Sequence, residues 1–316
     1  MKQSFAFATG AVRALENGLL PRSFFAALQQ ADPAERRRML VDRGFAGFAD
    51  TADPDLATRD RMEAVYEELL PYLPDPGVLD VCLLPHDFHN LKAALKGVLR
   101  GGERKDLYLR PAKFDPDGLW QAITSRDPDA LPPFLREAAK EGYEILTATG
   151  DGQQMDLELD RRCLEAQLAA APRAGAIIER WAARHAVYAD LRIALRLARQ
   201  EPGDALIDCA LAEAPGLDTG LLKEAIRAGR GAVAALIRER FDELPDPDGA
   251  GAAALEKAMD DQLSQILAET RSVPCGPEVV AAYYLRREIE RKNVCILASF
   301  GDRPERVRER LRETDA

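Results

Sequence analysis

The sequence predicts an all-α protein, and two patterns support that fold class. Apolar residues recur at every third or fourth position over 7–15, 221–240 and 304–314, as on the buried face of a helix. Proline and glycine lie between the periodic runs, for example in 73–77, where they indicate loops. Only 143–149 has the pattern of an extended segment. We therefore expect a chain that is helical almost throughout.

Self-similarity indicates that these helices form three related units. Similar passages begin at the polar residues Asn90, Asp190 and Asn293, so that their starts are 100 and 103 residues apart. A second set of three similar passages lies upstream, one before each polar residue. The last apolar residue of each passage precedes the polar residue by 62, 67 and 67 positions, respectively. Because the two sets of similar passages keep nearly the same distance from each other three times, they predict three small helical bundles. The predicted domains are 1–105, 106–204 and 205–316.

The second set of passages predicts how each domain begins. Its passages start at residues 20, 114 and 217 and are rich in the short polar side chains that cap helices. We expect a capped helix first, followed by a long hairpin that ends in the helix with the polar residue. The predicted N-caps are Ser23, Asp117, and Asp218 or Thr219.

Composition and charge exclude several classes of function. Of 316 residues, 43 are Lys or Arg and 53 are Asp or Glu. The formal charge of −10 disfavours nucleic-acid binding and direct docking on anionic lipid. No apolar run approaches the roughly 18 residues of a membrane span, and the first residues lack the apolar core of a signal peptide. The five cysteines have no zinc-ligand or redox spacing, so we expect reduced thiols in the cytoplasm.

A metal site has to be considered at two histidines. His86 and His89 lie three residues apart with Asp87 between them. No second Cys or His cluster completes such a site, so we expect a solvated helix start there. Phosphate-loop, dinucleotide and nucleophile-elbow motifs are absent from the sequence. We therefore expect no cofactor and no metal.

Two carboxylate pairs raise the possibility of an all-α enzyme. Asp156 with Asp160, and Glu256 with Asp260, have the spacing of residues on one helix face and could do acid–base work. Neither pair has a histidine or a third ligand, and such pairs are common on exposed helix faces. The enzyme hypothesis requires a deep pocket around these acids.

Three segments carry more specific motifs. They are FAFATGAVRALENGLL at 5–20, DFHNLK at 87–92 and GPEVVAAYYLRREIERKNV at 276–294. The first is similar to Y-x-x-A-x-x-R-V-R-A-L-E-x-x-L-L, the second to D-x-x-N-L-K and the third to G-P-E-P-L-I-A-Y-L-L-A-K-E-x-E-I-K-N-L-R. These are patterns of the C subunit of V-type (archaeal and bacterial A/V-type) ATP synthases, equivalent to subunit d of the vacuolar ATPase. The resemblance extends over essentially the whole chain.

The resemblance to this family implies both a fold and a function. Its members consist of three similar helical domains, here expected as a pseudo-threefold funnel. The resemblance implies a non-catalytic rotor adapter of a V/A-type ATPase, present once per complex and monomeric in isolation. It would link the central stalk, subunits D and F, to the membrane proteolipid ring and transmit torque for proton or sodium transport. Its place would be the cytoplasmic face of the membrane, with the ring contacted through loops such as 74–77, 101–111 and 245–251.

Residues of the repeated passages are the candidates for the stalk interface or the central axis. Asn90, Asp190 and Asn293 lie on otherwise apolar helices, where an unpaired buried polar group costs about 1–3 kcal/mol. They could line the inner wall of the funnel, or they could make hydrogen bonds within each domain. Asp87 and Glu290, three residues earlier on the same helix face, could offer carboxylates to a basic stalk or favour a helix N-terminal turn.

The sequence also departs from the family at three positions. Val187 and Asp190 stand where the middle repeat of the family has an acid and Asn, and Cys295 stands where it has Arg. The principal alternative to a rotor adapter is a free-standing α-helical scaffold that binds other proteins. Such scaffolds repeat about every 33–47 residues, whereas this chain repeats near 100.

Overall fold

The structure, a computed structural model, describes residues 4–314, and helices account for its regular secondary structure. No strand occurs within this range, so the predicted all-α class is confirmed. The α-helices are α1 (Phe5–Leu15), α2 (Arg22–Gln30), α3 (Pro33–Asp42), α4 (Pro54–Ala57), α5 (Arg61–Leu69), α6 (Asp80–Arg100), α7 (Pro116–Ser125), α8 (Pro133–Thr149), α9 (Gly152–Ala170), α10 (Ala176–Leu197), α11 (Asp204–Asp208), α12 (Thr219–Ala228), α13 (Arg230–Arg240), α14 (Gly251–Ala268), α15 (Pro277–Phe300) and α16 (Pro304–Arg310). Short 3-10 helices comprise Glu16–Gly18, Ala46–Ala49, Leu70–Tyr72, Pro76–Leu79, Lys105–Leu107, Pro128–Ala130, Ala171–Ala174 and Glu269–Ser272.

Aspartates begin several of these helices, and one of the predicted N-caps is among them. Asp218 accepts a hydrogen bond from the Leu221 N–H at 3.1 Å and caps α12. The prediction for Asp117 is wrong, because Asp115 caps α7 and Pro116 takes the first helical position. Proline fixes a helical φ and has no N–H to lose there, so the cap is the residue before it. Ser23 is likewise wrong as a cap, since it lies inside α2 after Pro21.

Three sequence-based expectations about helix extent need correction. The segment 143–149 is helical and forms the end of α8, because its Leu146 continues the buried face of that helix. The run 221–240 is divided at Gly229, whose φ of +98° ends α12. Glycine adopts such angles without steric penalty. The last helix ends at Arg310, before the predicted end at Thr314.

Contacts divide the described chain into two compact units. The first unit contains residues 4–79, 173–181 and 241–314, and the second contains 80–172 and 182–240. The predicted three-domain division and the predicted pseudo-threefold funnel stay predictions. No helix within residues 4–314 combines the length and apolar character needed to cross a membrane.

The core of the first unit joins the two ends of the described chain. Side chains from α2, α3 and the following turn pack against the second half of α15. The buried members of this cluster are Leu20, Phe25, Leu28, Leu40, Phe45, Phe48, Ala57, Val294, Leu297 and Val307. Residues more than 200 positions apart in sequence therefore share one core.

The core of the second unit is built on α6. Leu84, Phe88, Leu91 and Leu95 pack against apolar side chains of the helices that follow, α7, α8 and α9. This cluster includes residues on both sides of position 105. The long helix of one repeat therefore packs with the capped helix of the next repeat along the chain.

Candidate functional site

Asn90 makes the first of a set of related contacts between a long helix and the segment that follows it. Its side chain donates to the Leu109 carbonyl at 3.0 Å and accepts from the Leu109 N–H at 2.7 Å. An amide group carries both a donor and an acceptor, so it can pair with both backbone groups of one residue. We call this arrangement an amide clasp and call residues 107–114 the first strap.

Asn293 makes the same amide clasp in the first unit. Its side chain donates to the Arg312 carbonyl at 3.0 Å and accepts from the Arg312 N–H at 2.8 Å. The partner lies 19 residues after the asparagine, as it does for Asn90. We call residues 311–314 the third strap. The two asparagines therefore have one function within the fold, to bind the strap that follows their helix.

Asp190 occupies the equivalent position on α10, but its contact is incomplete. Its Oδ1 accepts from the Ala212 N–H at 3.1 Å. Its Oδ2 is buried and has no hydrogen-bond partner among residues 4–314. Ala210 and Ala212 are fully buried, and residues 209–217 form what we call the second strap.

The carboxylates three residues earlier bind backbone N–H groups at the entry to a helix. Asp87 accepts from Lys113 and Phe114 at 3.2 and 2.9 Å, just before α7. Glu290 accepts from the Leu20 N–H, just before α2. Phe114 and Leu20 are the first residues of two passages of the second set. Each carboxylate therefore binds backbone just before a helix of a different predicted repeat.

Val187 stands where the middle repeat would carry the third carboxylate. It is buried and has no acceptor to offer to the corresponding position, Leu217. The middle repeat therefore lacks one of the two side-chain contacts that the other repeats make. Asp190 and Val187 depart from the pattern together.

Burial alters the protonation of these acids. It raises the pKa of Asp87 to about 6, although the two N–H donors and the nearby Lys113 act in the opposite direction. Burial also raises the pKa of Glu290, against the effect of the Arg287 guanidinium 2.7 Å away. For Asp190 burial raises the pKa to about 7.

All five predicted site residues are almost completely buried. Their exposed fractions lie between 0% and 3%, and each is hydrogen-bonded within its own unit. Glu290 and Asn293 belong to the first unit, and Asp87, Asn90 and Asp190 belong to the second. Their assignment to a stalk interface or a central axis stays a prediction.

Comparison with models of protein families shows to which family the chain belongs. A family model described as ATP synthase (C/AC39) subunit matches residues 8–300. The chain belongs to this family. No match was found among the curated proteins with which the sequence was compared. The match extends over both compact units, so family membership applies to the whole fold of this C/AC39 subunit.

Two of the three histidines of this C/AC39 subunit extend the contacts of the first strap. His86 Nδ1 lies 2.6 Å from the Pro111 carbonyl, and His89 Nε2 lies 2.9 Å from the Leu107 carbonyl. Both lie inside α6 and are partly buried, so the expectation of a solvated helix start is wrong. No group of three potential metal ligands occurs within residues 4–314. Sequence reasoning missed this role, although the spacing of His86, His89 and Asn90 on one helix face was available as a signal.

Three acids of the predicted carboxylate pairs in the C/AC39 subunit form ion pairs. Asp160 pairs with Lys92 at 2.6 Å, and Asp156 pairs with Lys96 at 2.7 Å. Asp260 pairs with Arg312 at 2.8 Å. A cavity of about 150 Å³ beside Glu290 and one of about 190 Å³ beside Tyr143 include none of the four acids in their walls. The paired acids connect α6 to α9, and α14 to the third strap.

Proposed function

We propose that this chain is the non-catalytic central-rotor adapter of a V/A-type ATPase or ATP synthase. It would link stalk subunits D and F to the membrane proteolipid ring. The observation that carries this proposal is the family match over residues 8–300, which includes nearly the whole chain rather than one shared segment. The motif at 276–294, which lies on α15 from Pro277 onward, supports the same assignment through its similarity to the family pattern.

The proposed mechanism is mechanical. Torque between stalk and ring would pass through the helices, so the chain has to resist deformation at the places where helices meet loops. Packed interiors are dense and transmit strain. The amide clasps hold the first and third straps, and the cationic contacts of α6 join it to α9, which supports a stiff element.

The five candidate residues would serve the proposed adapter indirectly. We propose that Asp87, Asn90, Asp190, Glu290 and Asn293 organise the wall that receives the stalk by fixing the backbone of the straps and helix entries. Their burial favours this role over direct contact with a partner. The net charge of −10 favours binding of the ring through protein loops on the cytoplasmic face rather than through lipid headgroups.

A binding experiment with separate arms tests the adapter proposal. The purified chain is immobilised and exposed to a D–F subcomplex, and in a second arm to the detergent-solubilised proteolipid ring. We expect saturable binding in both arms. A stably folded monomer that binds neither would contradict the proposal and favour a free-standing helical scaffold.

A variant pair tests the indirect role of the candidate residues. Asp87→Asn and Glu290→Gln, combined, change two buried carboxylates, whereas Asp129→Asn changes one with an 84% exposed side chain. We expect lower unfolding stability in the double variant and unchanged D–F affinity in every variant that retains its helical circular dichroism. Loss of affinity in the folded double variant alone would show that the carboxylates contact the stalk.

A further inference from the structure

The second strap is bound differently from the other two straps. Asn90 and Asn293 each use a donor and an acceptor on one strap residue. Asp190 accepts one N–H bond from Ala212, and its second oxygen is buried without a partner. The other two straps are bound by an amide side chain, so the protonation state of Asp190 decides whether it can make the same two hydrogen bonds.

An ionised carboxylate and a carboxylic acid differ in what they can offer at this position. The ionised form only accepts hydrogen bonds, so it cannot donate to a strap carbonyl as the two asparagines do. The acid form has one O–H donor and an acceptor oxygen, which is the inventory that an asparagine uses in the amide clasp. Only the acid form reproduces the contacts of the other two positions.

The surroundings of Asp190 favour the neutral form. Val187 lies one turn earlier on α10, and Ala210 and Ala212 of the second strap are fully buried. The charged group that acts on Asp190 from α9 is Glu165, an acid that is itself paired with Arg161. Within residues 4–314 no Lys, Arg or His forms an ion pair with Asp190.

The remaining titratable groups nearby belong to other faces or to the strap itself. On α10, Arg192 is two positions away, and residues with this separation do not face each other. The second strap contains Cys209, whose thiol pKa is raised to about 11 mainly by burial, and Glu213, which is exposed. In the described part of the chain, no cation therefore pairs with an ionised Asp190.

We infer that Asp190 is held as a neutral carboxylic acid whose proton replaces the amide hydrogen of the other two clasps. The acid O–H donates to a carbonyl of the second strap, and Oδ1 accepts from Ala212. Loss of the proton removes the donor and leaves a charge in an apolar site. The second strap is thus a proton-dependent clasp in a protein whose other two clasps do not depend on pH in this way.

The direction of the pH dependence follows from the protonation states. Burial, with a smaller contribution from Glu165, raises the pKa of Asp190 to about 7, against the Ala212 N–H. In the unfolded chain the group has the ordinary value of 3.8. The folded state therefore binds the proton more tightly, and the contribution of Asp190 to stability is lost as the pH rises through about 7.

Titration of the side-chain carboxyl tests the inference directly. Carbon NMR of the full chain labelled at aspartate, with Asp190→Asn to assign the signal, follows the Asp190 carboxyl from about pH 4 to about pH 9. We expect the acid form near neutral pH and a midpoint far above that of ordinary aspartates. An Asp190 signal that titrates near 3.8 would overturn the inference.

Exchange of residues between the clasps provides a second test. Asp190→Asn should make the urea midpoint less dependent on pH between about pH 5.5 and about pH 8, relative to the wild type. Asn90→Asp should introduce the same dependence at the first strap, and amide exchange at Leu109 should then rise by up to about tenfold per pH unit beyond its intrinsic increase. A pH dependence unchanged by both variants would contradict the inference. If Asp190→Asn does not fold, Asp190→Glu is used to assign the Asp190 carboxyl signal, and the NMR titration then tests the inference.

Discussion

Asn293 shows how strongly the fold depends on single polar side chains. Replacement of Asn293 by Ala removes both hydrogen-bond partners of the Arg312 backbone and leaves its partly buried N–H and carbonyl unpaired. We expect Asn293→Ala to lower the free energy of unfolding by about 1–3 kcal/mol. Asn17→Ala, which removes an exposed side-chain bond to Ala14, is the matched control and should change it by less than about 0.5 kcal/mol. Urea denaturation measures the free energy of unfolding of both variants, and equal changes would contradict a stabilising role of the Asn293 clasp.

Asp87 gives a prediction about charge. Lys113 lies close enough to lower the pKa of Asp87, and its Nζ also pairs with Asp80 at 2.6 Å. Lys113→Met should therefore raise the pKa of Asp87 above about 6, because it removes a cation and leaves Asp80 unneutralised. The carboxyl resonance of Asp87 measures this change. Lys140→Met, at an exposed pair with Glu137, is the control and should leave the Asp87 resonance unchanged.

The raised pKa of Asp87 also sets a direction for stability. Because the folded state binds the Asp87 proton more tightly than the unfolded state, its contribution to stability declines as the pH rises through about 6. Asp87→Asn should remove this part of the pH dependence. Urea midpoints across this range check the difference from the wild type, and parallel curves would contradict it.

At the scale of elements, two glycines with different surroundings make opposite predictions. A Cβ added at Gly47 would lie 2.5 Å from the Ala57 carbonyl oxygen, so the backbone would have to move. Gly47→Ala should destabilise the fold by about 1–3 kcal/mol. A Cβ at Gly10, inside α1, meets no atom within 4 Å. Gly10→Ala should stabilise the fold by about 0.5–1 kcal/mol, since alanine favours the helix. Thermal unfolding measures the stability of both variants. A change in the same direction for both would contradict the surroundings described for these two glycines.

The elements also show what the sequence could predict. Periodicity predicted the helical class, and the repeated passages located Asn90, Asp190 and Asn293 at equivalent places on long helices. Helix starts were less predictable, because Asp115 and Asp117 are both good caps and only the adjacent Pro116 decides between them. The clasp partners could not be predicted, since a local pattern does not indicate which distant backbone lies opposite a polar side chain.

At the scale of the whole molecule, the third strap connects the end of the described chain to the first unit. Deletion of residues after Arg310 would remove the Asn293 clasp and the pair of Arg312 with Asp260. We expect faster hydrogen exchange in α2, α3 and α15, whose side chains belong to a core of the first unit. Exchange in α7 and α8, whose side chains belong to a core of the second unit, should stay unchanged.

A matched variant separates the two contributions of the third strap. Arg312→Ala loses the pair with Asp260 but keeps the backbone groups bound by Asn293. Its effect on exchange in the first unit should be smaller than that of the deletion. Equal acceleration in both units after the deletion would contradict the assignment of the strap to the first unit.

The shared core of Leu20, Phe25, Val294 and Leu297 has a consequence for biosynthesis. A ribosome releases residues 4–79 long before it makes the second half of α15, so the early helices wait without their packing partners. The second unit, made of residues 80–172 and 182–240, is complete while the nascent chain is still growing. Domains generally fold as units during synthesis. We therefore expect the middle of this polypeptide to acquire protease resistance first, while its beginning depends on chaperones until the last helices emerge.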